Sequence, residues 1–416
     1  MLSLFAKRAL SRARNARPFA SIATTDSALK YQGASFPYTW LRDSCQCTSC
    51  IHPSNKQKLH RTSDIPLDVT PGPDGVKVTD RGVEVTWKTD GHTSVYSPQF
   101  LDRHSSEKKL SNFHKDGLPV AWDLAGVQKA RDLFLPYEAL QSLSGLLAAI
   151  TQLTQYGLLF LKDVPNSETG NVNCEARKLA ERFGGQIRNT MYGELWDVIN
   201  IRNSTNIAYT DLDLGLHMDL LYFEHPPRYQ VLHCLRNRVI GGKSLFVDAL
   251  HAASTLRASN PAFFSVLATT PVAFHYATDG HHMHRSHTTI EMDTASGSSL
   301  ATQTIKCINY SPPFQAPLTL STTPPEFYAA LREFAGLLAK PEAEYKYQLQ
   351  EGDAVVFDNR RVLHARSAFM DREDQEGVGA AVGETNRWLK GCYFEADTFL
   401  DRGRVLRAEA AANEVD

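Results

Sequence analysis

Three of the chain's cysteines fall within six residues, as Cys45-x-Cys47-x-x-Cys50, and this crowding restricts the surrounding fold more than any other local feature. The remaining cysteines, Cys174, Cys234, Cys307 and Cys392, are scattered, and seven is an odd number. A disulfide framework is therefore excluded. Clustered thiols instead point to a metal held by a small module, and the scattered four read as ordinary buried cysteines.

Around that cluster the stretch from about Ala28 to Arg103 is patterned as a compact β-rich unit. Val83-Glu84-Val85-Thr86-Trp87 alternates, Asp90-Gly91 supplies a turn, and Ser94-Val95-Tyr96 follows, which predicts a hairpin. A polar connector from Asp102 to Gly117 leads into a second domain, residues 118–410. There the apolar run from about Leu140 to Ile150 predicts a helix and Gly157 to Leu161 a strand. Further helices are expected at Cys174 to Phe183 and at Pro325 to Leu338, with many short strands between them. The pattern predicts a mainly β barrel or sandwich with flanking helices.

With 42% hydrophobic and 22% charged residues, the 416-residue chain has ordinary globular composition. A formal charge of −2 without long blocks of one sign argues against a nucleic-acid surface, and no apolar run approaches a membrane span. A protein acting on small molecules is expected. The first 25 residues stand apart: Lys7, Arg8, Arg12, Arg14 and Arg17 lie among Leu, Phe, Ala and Ser, and the first acidic residue is Asp26. Such a segment suits a mitochondrial presequence and places the protein in the matrix; the alternative is a flexible basic tail on a cytoplasmic protein. Losing it removes five positive charges and no negative ones, taking −2 to −7.

His217-Met218-Asp219 is an H-x-D pair whose alternation puts both ligating side chains on the same side of an extended segment. Far downstream, the apolar Val355-Val356-Phe357, the polar turn Asp358-Asn359-Arg360 and Arg361-Val362-Leu363-His364 place a histidine on the following strand. Two histidines and a carboxylate can form the facial triad of non-haem iron(II) oxygenases, which leaves coordination positions open for an oxo-acid and dioxygen. A lone H-x-D is weak evidence, because polar turns contain it by chance.

The company of these residues is more specific. His217-Met218-Asp219-Leu220, Pro226-Pro227, Gln230, His233-Cys234-Leu235, Gly241-Gly242, Ser244 and Val247-Asp248, with Phe357-Asp358-Asn359-x-Arg361-Val362-Leu363-His364, resemble the γ-butyrobetaine and trimethyllysine dioxygenase family from about Tyr38 to Arg407. The resemblance implies a double-stranded β-helix (jelly roll) holding Fe(II) through His217, Asp219 and His364, with 2-oxoglutarate as co-substrate and ascorbate as reductant. For the distal carboxylate of 2-oxoglutarate the candidates are Arg366, Arg372 and Arg387. Arg387-Trp388-Leu389-Lys390-Gly391-Cys392-Tyr393 resembles the family's arginine strand, so Arg387 is preferred, with Ser244 adding a hydroxyl, although the loop from Asp371 to Asn386 is longer than usual.

A quaternary ammonium is held by aromatic faces, and Tyr192, Trp196, Tyr209 and Tyr393 match the family's cage. Asn206 resembles the butyrobetaine branch, where trimethyllysine enzymes tend to place Asp, whereas the basic leader is more familiar from trimethyllysine enzymes and Ser311 departs from both. The expected reaction is hydroxylation of γ-butyrobetaine to L-carnitine, with trimethyllysine as the alternative substrate and a homodimer as the assembly. By the same resemblance, Cys45, Cys47, Cys50 and His92 form a closed tetrahedral site for structural Zn(II). The cluster His275, His281, His282, His284 and His287 reads as an exposed or dimer-facing loop. A zinc hydrolase is the rival enzyme, but no H-E-x-x-H supplies its base; a non-catalytic binder of quaternary ammonium compounds would not need the three iron ligands.

Overall fold

A computed structural model describes residues 22–114, 117–199, 213–371 and 386–413. The chain divides into two compact units, residues 1–116 and 117–416.

The first unit has two three-stranded antiparallel sheets, β1 (Ile22–Thr24), β2 (Ala28–Tyr31) and β3 (Ala34–Pro37), then β4 (Pro71–Thr79), β5 (Gly82–Trp87) and β6 (Thr93–Tyr96). Alternation along β5 turns Val83, Val85 and Trp87 inward against Leu29, Phe36 and Leu41, and the buried Trp87 indole donates to Ser94 Oγ at 2.9 Å. Gly91 sits at φ +65°, a conformation glycine adopts without a Cβ penalty, and closes the β5–β6 turn. Pairing of Ile22 with Tyr31 makes β1 part of the folded sheet, so the expected 25-residue leader overlaps the first strand. Residues 1–21 lie outside the described residues. The expected polar connector contains short helices at Pro98–Arg103 and Glu107–His114.

In the second unit the strands run β7 (Phe134–Pro136), β8 (Leu158–Lys162), β9 (Leu195–Ile199), β10 (Leu214–His217), β11 (Tyr229–Asn237), β12 (Val239–Gly241) and β13 (Ser244–Asp248). They continue as β14 (Pro271–Tyr276), β15 (Met283–Thr288), β16 (Ile290–Asp293), β17 (Thr304–Ile308), β18 (Glu344–Tyr347), β19 (Ala354–Asp358), β20 (Val362–Arg366), β21 (Phe369–Asp371) and β22 (Arg387–Phe394). Six of them form one sheet in the order β7-β8-β19-β11-β22-β9, and four form another, β10-β20-β13-β18. These are the two sheets of a jelly roll. Phe160 and Phe357 of the larger sheet meet Phe246 of the smaller one, each with ring centroids 5.6 Å apart, and fill the space between them. The larger sheet's other face is covered by helices at Leu143–Tyr156 and Glu175–Phe183, through Ile150, Leu153, Leu179 and Phe183. Being covered on both faces explains why β8 and β19 are near-continuous apolar runs.

The helix expected from Leu140 starts at Leu143, because Ser142 Oγ accepts from Gly145 N and Leu140 lies in a preceding 3-10 turn; it ends where Gly157 takes φ +69°. Helices at Ala249–Ser259, Pro261–Thr269 and Ala396–Asn413 were not expected. The first two had readable starts, in Asp248 accepting from Leu250 N and in Asn260, ahead of Pro261, accepting from Phe263 N. The histidine cluster is largely strand rather than loop: β14 and β15 pair with His275 opposite His284, and His287 Nε2 lies 3.0 Å from Phe223 O. No helix among the described residues is long and apolar enough to cross a membrane.

Candidate active site

The smaller sheet brings the candidate iron ligands together. In the β10–β20 pair His217 stands directly opposite His364, with ring centroids 4.2 Å apart. Asp219 follows two residues beyond His217, and the ligating atoms of all three lie within 4.8 Å of one another. His217 Nδ1 is 2.8 Å from Gly215 O; a proton donated there turns the Nε2 lone pair toward Asp219 and His364. Burial alone would raise the Asp219 carboxyl, yet the imidazoles of His364 and His217 and the Tyr393 hydroxyl hold it below the ordinary carboxylate range. Burial, and then His217, press His364 down to about 3, so this imidazole is neutral at physiological pH. Two imidazoles and one carboxylate on one side of a pocket are the donor set a divalent iron ion requires. The residues present fit that ion.

Asp219 is also gripped through its backbone. Its N–H donates to Asn359 Oδ1 at 2.8 Å, and Asn359 Nδ2 returns bonds to Asp219 O at 3.1 Å and Pro227 O at 3.2 Å. The next residue, Leu220, takes φ +63°, which turns the chain sharply away once the ligand is placed. The sequence reading used Asn359 only as part of a motif; its amide is fully buried and bonded to backbone groups, which no local sequence signal shows.

One cavity contains the three ligands and has chemically opposite ends. At one end lie Ser244 and two arginines, Arg366 and Arg387, whose guanidinium groups are 4.9 Å and 5.4 Å from the Phe369 ring. Ser244 pairs across the sheet with Arg366. Burial, with Arg366 beside it, lowers Arg387 to about 10, leaving it charged at neutral pH. A carboxylate entering here would relieve the repulsion of two buried like charges. Both Arg366 and the preferred Arg387 are thus at this end; Arg372 lies outside the described residues.

Aromatic rings make the other end. Tyr192, Trp196 and Tyr393 line it, as do Tyr222 and Phe314, which sequence reasoning missed. Trp196 and Tyr393 are 5.3 Å apart, Tyr222 and Phe314 also 5.3 Å. The flat approach of Trp196 depends on its cross-strand partner Gly391, where a Cβ would lie only 2.3 Å from the indole. Asn206 and Tyr209 lie outside the described residues. Among the described lining residues the only carboxylate is that of Asp219.

In the first unit, Cys45, Cys47 and Cys50 surround His92, with Sγ to Nε2 distances of 3.3, 3.5 and 3.6 Å. Tetrahedral zinc with ordinary Zn–S and Zn–N lengths sets that separation near ~3.6 Å. Burial and then the neighbouring Cys45 push the Cys50 thiol up to about 12, so a cation beside its sulfur would be needed to ionise it at neutral pH. Arg42, ion-paired with Asp90 at 2.8 Å, also directs Nη1 at Cys50 Sγ and offsets the excess negative charge of three thiolates around a divalent ion. The donors fit structural zinc. Purified protein is expected to carry about one zinc per chain at this site. Cys50→Ala should abolish it and destabilise residues 22–114 by about 3 kcal/mol or more. Metal analysis with amide exchange would show this, and unchanged protection of β5 and β6 would contradict it.

The profile of the taurine catabolism dioxygenase TauD, TfdA family matches residues 123–393, and that of the gamma-butyrobetaine hydroxylase-like N-terminal domain matches residues 28–102. Dioxygenase str8 of Strobilurus tenacellus is 55% identical over 89% of this chain and 85% of its own length. Gamma-butyrobetaine dioxygenase of Pseudomonas sp. (strain AK-1) is 32% identical over 94% of this chain and 96% of its own. Mitochondrial trimethyllysine dioxygenase of Homo sapiens is 28% identical over 90% of this chain and 83% of its own.

Proposed function

The chain belongs to the taurine catabolism dioxygenase TauD, TfdA family, among its γ-butyrobetaine and trimethyllysine dioxygenases, and is an iron(II)- and 2-oxoglutarate-dependent dioxygenase; on that premise we propose that its substrate is γ-butyrobetaine, hydroxylated to L-carnitine. The observation that carries the substrate proposal is the aromatic end of the cavity. Its rings suit a quaternary ammonium by cation–π attraction and dispersion, and apart from the ligand Asp219 no described lining residue offers a carboxylate to an α-ammonium. Trimethyllysine brings that second cation; γ-butyrobetaine does not.

In this reading His217, Asp219 and His364 would hold iron, while Arg387, helped by Arg366 and Ser244, would anchor the distal carboxylate of 2-oxoglutarate. Bound iron, with 2-oxoglutarate and dioxygen, supplies the oxidising chemistry that releases succinate and carbon dioxide and hydroxylates the substrate. The protein's own part is placement. The guanidinium end fixes one reactant, the aromatic end fixes the trimethylammonium of the other, and the carbon to be hydroxylated is presented between them beside the ligands. The basic N-terminal segment supports a matrix location for this step of carnitine formation, and a homodimer is part of the proposal.

The test is turnover by a chain that begins at Ile22, which keeps β1, with iron(II), ascorbate, 2-oxoglutarate and air, and γ-butyrobetaine or trimethyllysine in parallel. Mass spectrometry is expected to find carnitine and succinate formed in equal amounts. Hydroxytrimethyllysine in place of carnitine would overturn the substrate proposal, and succinate without either product would direct it to another trimethylammonium acid.

A further inference from the structure

Tyr393 occupies two sites at once. Its ring is a wall of the aromatic end, 5.3 Å from Trp196, while its hydroxyl donates to Asp219 Oδ2 at 2.8 Å. That oxygen is the one nearer His364 Nε2, at 3.8 Å, and Oδ1 faces His217 Nε2 at 3.3 Å. The Asn359 amide fixes the backbone of Asp219, but among the described residues only the tyrosine bonds its carboxylate from outside the ligand set.

We propose that Tyr393 is a positioning residue for the metal carboxylate: its hydroxyl sets which way Asp219 presents its oxygens to the ion, while its ring confines the substrate. Both are carried by one rigid side chain on β22, a central strand of the larger sheet, whereas the ligands belong to the smaller sheet and its end. The hydroxyl therefore ties the wall that contacts substrate to the carboxylate that contacts metal. A charge-assisted hydrogen bond onto a buried carboxylate is directional, and loss of an outer-shell partner of a metal ligand commonly weakens metal binding by about 10- to 100-fold. The inference rests on the iron reading of His217, Asp219 and His364 and is independent of which substrate is hydroxylated.

Tyr393→Phe keeps the ring and removes only the hydroxyl. Anaerobic titration of the full chain with Co(II), followed by its visible ligand-field bands, is expected to show about 10-fold weaker binding and shifted bands. Substrate KM should stay within about 2-fold, because the aromatic wall persists, while succinate forms in excess of hydroxylated product. Trp196→Leu is the converse control, expected to raise KM and leave the Co(II) bands in place. Unchanged Co(II) affinity and bands in Tyr393→Phe would overturn the proposal, as would equal changes in both variants, since a general loosening of the fold would move them together. Asp219→Ala separates this failure from failure of the underlying site: Co(II) bound as in the parent protein would remove Asp219 from the ligand set and the proposal with it.

Discussion

Asp248→Ala is expected to lower the stability of the second unit by about 3–5 kcal/mol, the cost of leaving one member of a buried ion pair without the other. Asp248 and Arg361 have side chains only 0% and 7% exposed. Arg361 Nε donates to Oδ1 at 3.0 Å and Nη2 to Oδ2 at 2.8 Å, a fork that lysine could not reproduce. Each partner also binds beyond the pair. Asp248 accepts from Trp122 N at 2.9 Å and from Leu250 N at 3.0 Å, while Arg361 reaches Gln155 O at 2.6 Å and Val120 O at 2.5 Å. The alanine variant thus strands a buried guanidinium and removes a helix cap. Replacing both members by leucine should recover only part of the loss, because the Val120 carbonyl and the Trp122 N–H would still lack partners. Urea unfolding followed by tryptophan fluorescence measures the difference, and a loss below about 1 kcal/mol would show the charge pair to be dispensable.

Gly391→Ala is expected to raise the KM of whichever substrate is turned over by about 10-fold while the protein stays folded. In an ordinary strand position alanine would be preferred to glycine, which loses more conformational freedom on folding. Here the added methyl would stand 2.3, 2.4 and 2.6 Å from three atoms of the Trp196 ring. The indole has Tyr393 on one side and must swing away, taking a wall of the aromatic end with it. A fall of about 1–3 kcal/mol in stability should accompany the change, as for other overpacked sites. Parent-like KM with altered stability would mean that Trp196 packs the sheet without contacting substrate.

What could be foreseen from sequence followed the range of the interaction. His217, Asp219 and His364 were legible because H-x-D fixes two ligands locally and the motif around Asn359 supplies the third on a following strand. Cys45, Cys47 and Cys50 were legible for the same reason, and His92 through the turn that Gly91 makes. The hairpin of β5 and β6 is equally local. By contrast, Tyr222 and Phe314 reach the cavity only when segments far apart in sequence are packed together, and nothing in their neighbourhoods distinguishes them from core residues. Asn359 was quoted without a role because its partners are backbone groups, which every residue carries. The helix at Ala249–Ser259 was missed although Asp248 was in plain view, since that residue was read only as part of the family resemblance.

The order of strands in the larger sheet bears on how the protein is made. β22 lies between β11 and β9, so an interior strand of that sheet is supplied by residues 387–394, near the end of the given sequence. Until they emerge from the ribosome, Tyr229–Cys234 on β11 and Leu195–Ile199 on β9 have edges with no neighbour to close them. Long-range pairing of this kind slows folding, and open apolar edges recruit other chains. The nascent protein therefore has a window, from the emergence of β9 and β11 to that of β22, in which these strands need shelter from aggregation. A chain that stops before Arg387 never leaves that window.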